Sequence, residues 1–243
     1  MHILLRSLVP TLAALSITTL AIAVPATIST YDIEQTPPSG FGGWGHNYNG
    51  TISDTGDGNQ IFNYTGGTGS LNDGIISNID STHLFVMRNA DDGQPIAPTI
   101  TLHLDGVYFI SQIIVYGGNI SFNVIPGALN GATVSLGGAS ESMLSMPSGE
   151  PNEIGIQTID IFDLSASSLG EIPTNEIVLS NFTSQFFGFP LDQFSIAEIQ
   201  VEGTPFLNAV PEPSSLALLL LGAIGLAGLR RWRPMLKIFV IRL

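Results

Sequence analysis

The sequence contains no cysteine and very little positive charge, and both absences limit what the chain can do. Without cysteine there is no disulfide framework, no thiolate metal cluster and no cysteine nucleophile. Lysine and arginine together number only 7 in 243 residues, against 20 aspartates and glutamates. Because a phosphate backbone is bound by neutralising it with lysine and arginine, nucleic acid is excluded as a partner.

The few basic residues are concentrated towards the two ends of the chain. Between residues 24 and 211 only Arg88 stands against nineteen carboxylates, which gives this section a net charge of −18. A section this acidic favours solubility and attracts divalent cations, although the charge alone identifies no particular site.

Glycine and proline are abundant instead, with 27 and 15 residues, and 44% of all residues are hydrophobic. That apolar content is enough to form a core and excludes a disordered acidic chain. Glycine supplies positive φ angles and proline fixes φ, so the composition is typical of short strands joined by turns. We therefore expect an all-β domain.

Residues 1–23 have the organisation of a secretory signal peptide. Arg6 precedes an apolar stretch that is too short to span a membrane comfortably. The sequence Ala-Ile-Ala at residues 21–23 offers a cleavage site, so the mature chain is predicted to begin at Val24, with Ala26 as a second possible site of cleavage. The alternative, a buried N-terminal helix, is poorly compatible with an unpaired arginine and a central proline.

The C-terminal end carries three features in a fixed order. A linker at 204–215 contains Pro211-Glu212-Pro213, an apolar run follows, and an arginine cluster closes it with Arg230, Arg231 and Arg233. This order resembles the PEP-CTERM sorting signal of exopolysaccharide-producing Gram-negative bacteria. The resemblance implies a transmembrane helix with its arginine cluster at 216–233. The arginines stay cytoplasmic by the positive-inside rule, so the acidic body lies outside.

The same resemblance implies an exosortase as a partner, a membrane protease-transpeptidase that cuts near the tripeptide and releases or transfers the protein. Two points stay open. The short tail at 234–243 is unusual for the family, and it is either a second interfacial anchor or an artefact of gene annotation. An ordinary tail anchor that is never cleaved is the alternative to the sorting signal, although the apolar run is shorter than the ~20 residues of a full span.

The sequence between these two ends predicts one β-sandwich. Residues 31–80 are dominated by turn formers, and only 60–65 has the character of a strand. Beyond them, runs of β-branched and aromatic residues predict strands at 82–89, 99–104, 108–116, 120–125, 132–136, 155–162, 176–179 and 195–201. Eight short strands at this spacing indicate a sandwich or jelly roll.

Three segments of this region carry a second resemblance. They are Leu71-Asn72-Asp73-Gly74, the strand pair at 100–116 and the segment Ala197-Glu198-Ile199-Gln200-Val201-Glu202-Gly203. They resemble the discoidin or coagulation-factor C-type domain, a galactose-binding-like jelly roll. The resemblance implies a discoidin-like sandwich at 71–203, preceded by a Gly-rich N-terminal part of the domain at 24–70. A tryptophan after the Asp-Gly turn and an arginine after residue 116 are missing from the family pattern.

The resemblance to discoidin-like sugar-binding modules implies a structural calcium ion held by Asp73, nearby carbonyl groups, the Ala197 carbonyl and the Glu198 side chain. The alternative is a turn carboxylate at Asp73 and a solvated Glu198.

Sugar binding needs an aromatic face and a few fixed polar groups. The candidates are Trp44, Tyr48 and Tyr64 in Gly-rich loops, together with Arg88, for which a local ion pair is the alternative.

Catalytic motifs are missing from the sequence. It has no nucleophile elbow, no zinc-protease helix and no phosphate-binding loop. We therefore expect a protein that is not an enzyme, and that binds or organises extracellular polysaccharide at the cell surface or in the biofilm matrix. The alternatives are an acidic structural matrix protein without a specific ligand and, less favoured, a glycoside hydrolase, which needs two carboxylates about 5 to 10 Å apart.

Overall fold

The computed structural model describes residues 23–56, 60–87, 96–119, 127–147, 156–186 and 189–206, together with Gly222. The chain divides into two compact units, Met1–Phe206 and Leu207–Leu243. The predicted signal peptide, sorting tripeptide, apolar helix, arginine cluster and tail lie outside the described residues, apart from Ala23 and Gly222. Within the described ranges there is no helix with the length and hydrophobicity needed to cross a membrane.

The described part of the first unit consists of strands with three short 3-10 turns. The strands are β1 (Val24–Ala26), β2 (Ile28–Thr36), β3 (Thr51–Asp54), β4 (Phe62–Gly67), β5 (Leu84–Met87), β6 (Thr99–Asn119), β7 (Ala128–Leu136), β8 (Ala139–Leu144), β9 (Met146–Pro147), β10 (Ile156–Asp163), β11 (Pro173–Phe186), β12 (Phe189–Leu191) and β13 (Gln193–Pro205). The prediction of an all-β sandwich is confirmed.

Individual strands differ from the prediction. In residues 31–80 the strand expected at 60–65 is β4, whereas β2 and β3 were not predicted there. The two strands predicted at 99–104 and 108–116 are parts of one continuous strand, β6. Strands β8 and β9 were not predicted, and the strand predicted at 120–125 lies outside the described residues.

Strand β6 is 21 residues long and joins the two layers of the sandwich. Its first half pairs with β2 and β11, so that Leu102 lies opposite both Tyr31 and Ile177. Its second half pairs with β13 and β10, so that Val115 lies opposite Ile199 and Asp160. One layer has the order β3-β4-β2-β6-β11-β7-β8, and the other is built on β13 and β10.

The core lies between these layers and follows the alternation of the strands. In β6, Ile100, Leu102 and Leu104 are buried, whereas the threonines between them and His103 are only partly buried. Successive side chains of a strand point to opposite faces, which explains the pattern. Fully burying a large apolar side chain contributes about 1.5 to 3 kcal/mol, and the largest fully buried aromatic residues are Tyr31, Tyr64, Phe162, Phe182 and Phe194.

Candidate functional site

The turn at residues 71–74 is held by its own polar side chains. The Asn72 amide accepts a hydrogen bond from the Gly69 N–H at 2.9 Å and donates one to the first carbonyl of β2, also at 2.9 Å. The Asp73 Oδ1 atom accepts a hydrogen bond from the Ile75 N–H at 2.8 Å. Asparagine and aspartate form such local bonds readily, which explains their place in this turn.

The turn docks onto β13 through two hydrogen bonds. The Ile199 N–H donates to the Leu71 carbonyl at 2.9 Å, and the Gly74 N–H donates to Glu198 Oε1 at 3.2 Å. The register of β13 against β6 skips Ala197, which therefore stands opposite no residue of β6. The structure thus brings together two segments that only the sequence resemblance had linked.

Glu198 is an almost fully buried carboxylate with 3% of its surface exposed. Its Oε2 atom has no hydrogen-bond partner among the residues that the structure describes. Burial and, to a smaller extent, the neighbouring Asp73 carboxylate raise the pKa of Glu198 to about 7, while the backbone N–H groups of Gly74 and Asp73 act in the opposite direction. A neighbouring negative charge disfavours the ionised form of Glu198.

Tyr31 belongs to the same junction, although the sequence analysis assigned it no role. Its side chain is fully buried, and its hydroxyl finds no hydrogen-bond partner within the described ranges. Burial raises the pKa of this hydroxyl and the Leu71 backbone opposes the shift, while Tyr48, Asp73 and Glu198 raise it further by smaller amounts. The alternation of apolar and polar side chains at residues 30–33 was the signal that could have identified a strand here.

The atoms at this junction suit a hard divalent cation, which prefers oxygen ligands. Asp73 and Glu198 provide carboxylates, and Ala197 provides a carbonyl at the bulge. In the described part of the chain no three histidine, cysteine, aspartate or glutamate side chains are close enough together to hold a metal ion. Calcium takes about six to eight oxygen ligands, so carbonyl groups and water would have to supply the rest.

Two grooves lie beside the turn, and both are lined by Asn72. The first, which we name the strand groove, has a volume of about 300 Å³ and is lined by residues 25–28, Asn72, Gly74 and residues 198–202. The second, which we name the asparagine groove, has a volume of about 550 Å³ and is lined by Ile28, Asn47, Tyr48, Asn49, Thr68, Gly69, Asn72 and Asp73. Glu198 therefore borders the first groove and Asp73 the second.

The candidate sugar-binding residues differ in accessibility. Tyr64 is fully buried, and Trp44 is 7% exposed with its ring 5.6 Å from that of Phe85. As they lie, neither ring presents a face to a sugar, because the Gly-rich segment folds onto the core. Tyr48 is half-buried and lines the asparagine groove. Arg88 lies outside the described residues.

His46 is buried next to the same aromatic residues. Its ring centroid lies 4.9 Å from that of Tyr64 and 6.2 Å from that of Tyr48. Burial lowers the pKa of His46 to about 4, so the ring is neutral at pH 7. Since it borders neither groove, we regard it as part of the core.

Comparison with protein families identifies the C-terminal segment. Residues 209–231 match the family model described as the PEP-CTERM protein-sorting motif. This range contains the Pro-Glu-Pro tripeptide, the apolar run and the first two arginines of the cluster. The sorting signal predicted from the sequence is therefore confirmed, and it indicates export of a Gram-negative protein through a membrane-anchored precursor.

Solved structures similar to this chain include sugar-binding modules. The GH31 CBM32-2 module bound to GalNAc is 20% identical, with 64% of this chain and 97% of that chain covered and a TM-score of 0.34. The family 32 module of C. perfringens NanJ in complex with galactose is 16% identical, with 70% and 98% covered and a TM-score of 0.34. The C-terminal domain of a chitobiase from Bacteroides fragilis is 14% identical, with 75% and 99% covered and a TM-score of 0.36. The similarity concerns the fold alone. No curated protein matches the chain.

Proposed function

We propose that this chain is an exported, non-enzymatic protein whose β-domain binds extracellular polysaccharide at the surface or in the matrix of a Gram-negative bacterium. An exosortase cuts the precursor near Pro211-Glu212-Pro213, after the apolar segment has held it in the inner membrane. The observation that carries the binding part is the docking of the Asp73 turn onto Glu198, two segments 124 residues apart at their hydrogen bond. The discoidin-like resemblance implied this contact.

A structural calcium ion is the second part of the proposal. The Asp73 and Glu198 carboxylates and the Ala197 carbonyl would hold it, and it would tie the first turn of the sandwich to the last strand. The support comes from the buried Glu198 Oε2 atom, which lacks a hydrogen-bond partner in the described part of the structure. A cation would compensate a carboxylate pair that otherwise repels itself in a site of low dielectric constant.

An acidic matrix protein without a specific ligand is the competing function. The net charge of −18 between residues 24 and 211 favours it, because such a surface collects divalent cations without any defined site. A glycan array that includes neutral and acidic sugars separates the two functions. We expect the chain from Val24 onward, kept in mild detergent, to bind a restricted set of glycans. A flat response across the array would favour the matrix protein.

The processing step is tested separately by intact-mass analysis of the protein from a host with the matching exosortase. The mature mass should lack the apolar run at 216–229. A host without the exosortase provides the control and should retain that run. Retention of the run in the exosortase-positive host would contradict the proposed processing.

A further inference from the structure

The asparagine groove has the size and lining of a sugar-binding site. Its volume of about 550 Å³ falls within the roughly 300 to 1,000 Å³ of small-ligand sites. Three asparagines and Thr68 line it, together with Tyr48 and Ile28, which add apolar surface. Sugars present both hydroxyl groups and C–H faces, so they need both kinds of wall.

The groove is held rigidly by its own hydrogen bonds. The Asn49 Nδ2 atom donates to Thr68 Oγ1 at 2.7 Å, and the Thr68 N–H donates to Asn49 Oδ1 at 2.7 Å. The Tyr48 hydroxyl donates to the Tyr31 carbonyl at 2.9 Å and accepts from the Gly67 N–H at 2.8 Å. A rigid site loses little conformational entropy when a ligand binds.

Two glycines allow the Tyr48 ring to lie against the β3–β4 hairpin. A Cβ atom at either Gly50 or Gly67 would lie 2.6 Å from that ring, which is closer than atoms can approach. The glycine content of this segment, which predicted turns, thus also serves close packing beneath the groove. The ring is fixed at the groove wall as a result.

The charge around the groove restricts the ligand. Asp73 borders it, and the section between residues 24 and 211 carries a net charge of −18. A uronate or sulfated sugar would be repelled, whereas a neutral sugar would not. Asn47 is exposed at the rim, and its side chain makes no hydrogen bond within the described residues, so its amide is available to a ligand.

We propose that the asparagine groove binds a neutral sugar unit of the polysaccharide, with the Asn47 amide and the Thr68 hydroxyl bonding to sugar hydroxyl groups and the Tyr48 ring contacting the sugar's C–H surface. This inference rests on the proposed function and assigns the ligand class and the place where it binds. Of the residues proposed above to hold calcium, only Asp73 lines this groove, and the calcium ion is not required for this contact.

Affinity electrophoresis tests the proposal with the chain from Val24 onward in native gels that contain mild detergent. The probes are a neutral galactan, a neutral glucan and polygalacturonate. We expect at least one neutral polysaccharide to retard the wild type and polygalacturonate to have no effect. Asn47→Ala and Thr68→Val should each weaken the apparent affinity at least tenfold. Asn47→Ala removes no side-chain hydrogen bond among the residues that the structure describes, so we expect it to leave the fold intact, and equal melting temperatures would verify this.

Asn63→Ala is the control. Unlike the Asn47 side chain, Asn63 Oδ1 accepts a backbone hydrogen bond, from the Gln35 N–H at 3.0 Å, and Asn63 does not line the groove. The control should bind like the wild type. Unchanged binding in both groove variants, with binding retained by the wild type, would overturn the groove assignment and leave the proposed function intact. Retardation by polygalacturonate alone would overturn the ligand class. No retardation in any gel would contradict the proposed function and this inference with it.

Discussion

Glu198 and Asp160 are two carboxylates with very little exposed surface. Glu198 is 3% exposed and Asp160 is 1% exposed. Burial raises the pKa of each to about 7. Each also has one oxygen atom without a hydrogen-bond partner in the part of the chain that the structure describes. Burial and protonation alone therefore do not distinguish the two positions.

Their neighbours do distinguish them. Glu198 lies beside the Asp73 carboxylate and borders the strand groove. Asp160 lies on β10, where the Ser145 hydroxyl donates to its Oδ1 atom at 2.9 Å, and it borders neither groove. The Thr158 hydroxyl also favours its charged form, although its geometry falls short of a hydrogen bond. A second negative charge beside a groove suits a cation, whereas burial in the core keeps Asp160 a neutral acid although the two hydroxyl groups oppose this. A shifted pKa thus becomes evidence of a site only together with its surroundings.

The largest effect is expected from Asp160→Asn at alkaline pH. The pKa of Asp160 is about 7 in the folded state against 3.8 ordinarily, so the folded carboxyl keeps a proton that the unfolded one has lost. Asp160 alone should therefore lower the unfolding free energy of the wild type between about pH 4 and pH 7, by roughly 4 kcal/mol at 1.36 kcal/mol per pKa unit. Asparagine does not ionise, so the unfolding free energy of the variant relative to that of the wild type should increase by roughly this amount between pH 4 and pH 9. Urea denaturation at both pH values measures the gain.

His46 changes the stability of the fold with pH in the direction opposite to Asp160. Because its pKa is lowered to about 4, its contribution to stability is present above about pH 6.5 and is lost as the pH falls. It opposes the effect of Asp160 in the wild type, but it is common to both proteins and cancels in their difference. Equal pH dependence of wild type and Asp160→Asn would show that Asp160 is ionised in the folded protein at pH 7.

The second-largest effect is expected in the response to calcium, which should distinguish Glu198 from Asp160. Calcium should raise the melting temperatures of the wild type and of Asp160→Asn alike, and it should leave Glu198→Gln and Asp73→Ala almost unchanged. A ligand that binds only the folded state contributes about 2.7 kcal/mol at a hundred times its Kd. Thermal unfolding with calcium and with a chelator measures the difference. An equal rise in all four proteins would indicate diffuse binding by the acidic surface and would remove Asp73 and Glu198 as a site.

Much of the fold could be predicted from local patterns. The alternation of Ile100, Leu102 and Leu104 with polar residues identified the first half of β6 correctly. Strand β4 was predicted at 60–65, whereas β2 and β3 were missed because glycine-rich turns surround β3 and the short alternation in β2 was not recognised. A single sequence does not distinguish a turn glycine from one that permits close packing. Gly67 is of the second kind, since it lies under the Tyr48 ring.

The candidate site was predictable only in part. Asp73 and Glu198 were linked through a resemblance, because no local pattern joins residues so far apart in the chain. The burial of the Tyr31 hydroxyl, which has no hydrogen-bond partner among the described residues, was not predictable, since it depends on how the two layers pack around it. For the same reason the sequence did not show that Trp44 and Tyr64 are buried whereas Tyr48 borders a groove.

The smallest change in stability is expected on replacing an exposed carboxylate, Glu176, which can be compared with the buried Glu198 and Asp160. The Glu176 side chain is 54% exposed, and its Oε2 atom lies 3.5 Å from His103 Nδ1, whose ring also contacts Asp32 at 2.9 Å. Water screens such pairs, and exposed ion pairs contribute about 0 to 1 kcal/mol. Glu176→Gln should therefore change the unfolding free energy at pH 7 by less than about 0.5 kcal/mol and leave the calcium response intact, as urea denaturation and thermal unfolding can measure. A loss of more than about 1 kcal/mol in unfolding free energy would contradict the distinction between buried and exposed carboxylates. The surface contacts of His103 with Asp32 and Glu176 would then stabilise the fold about as much as a buried carboxylate does.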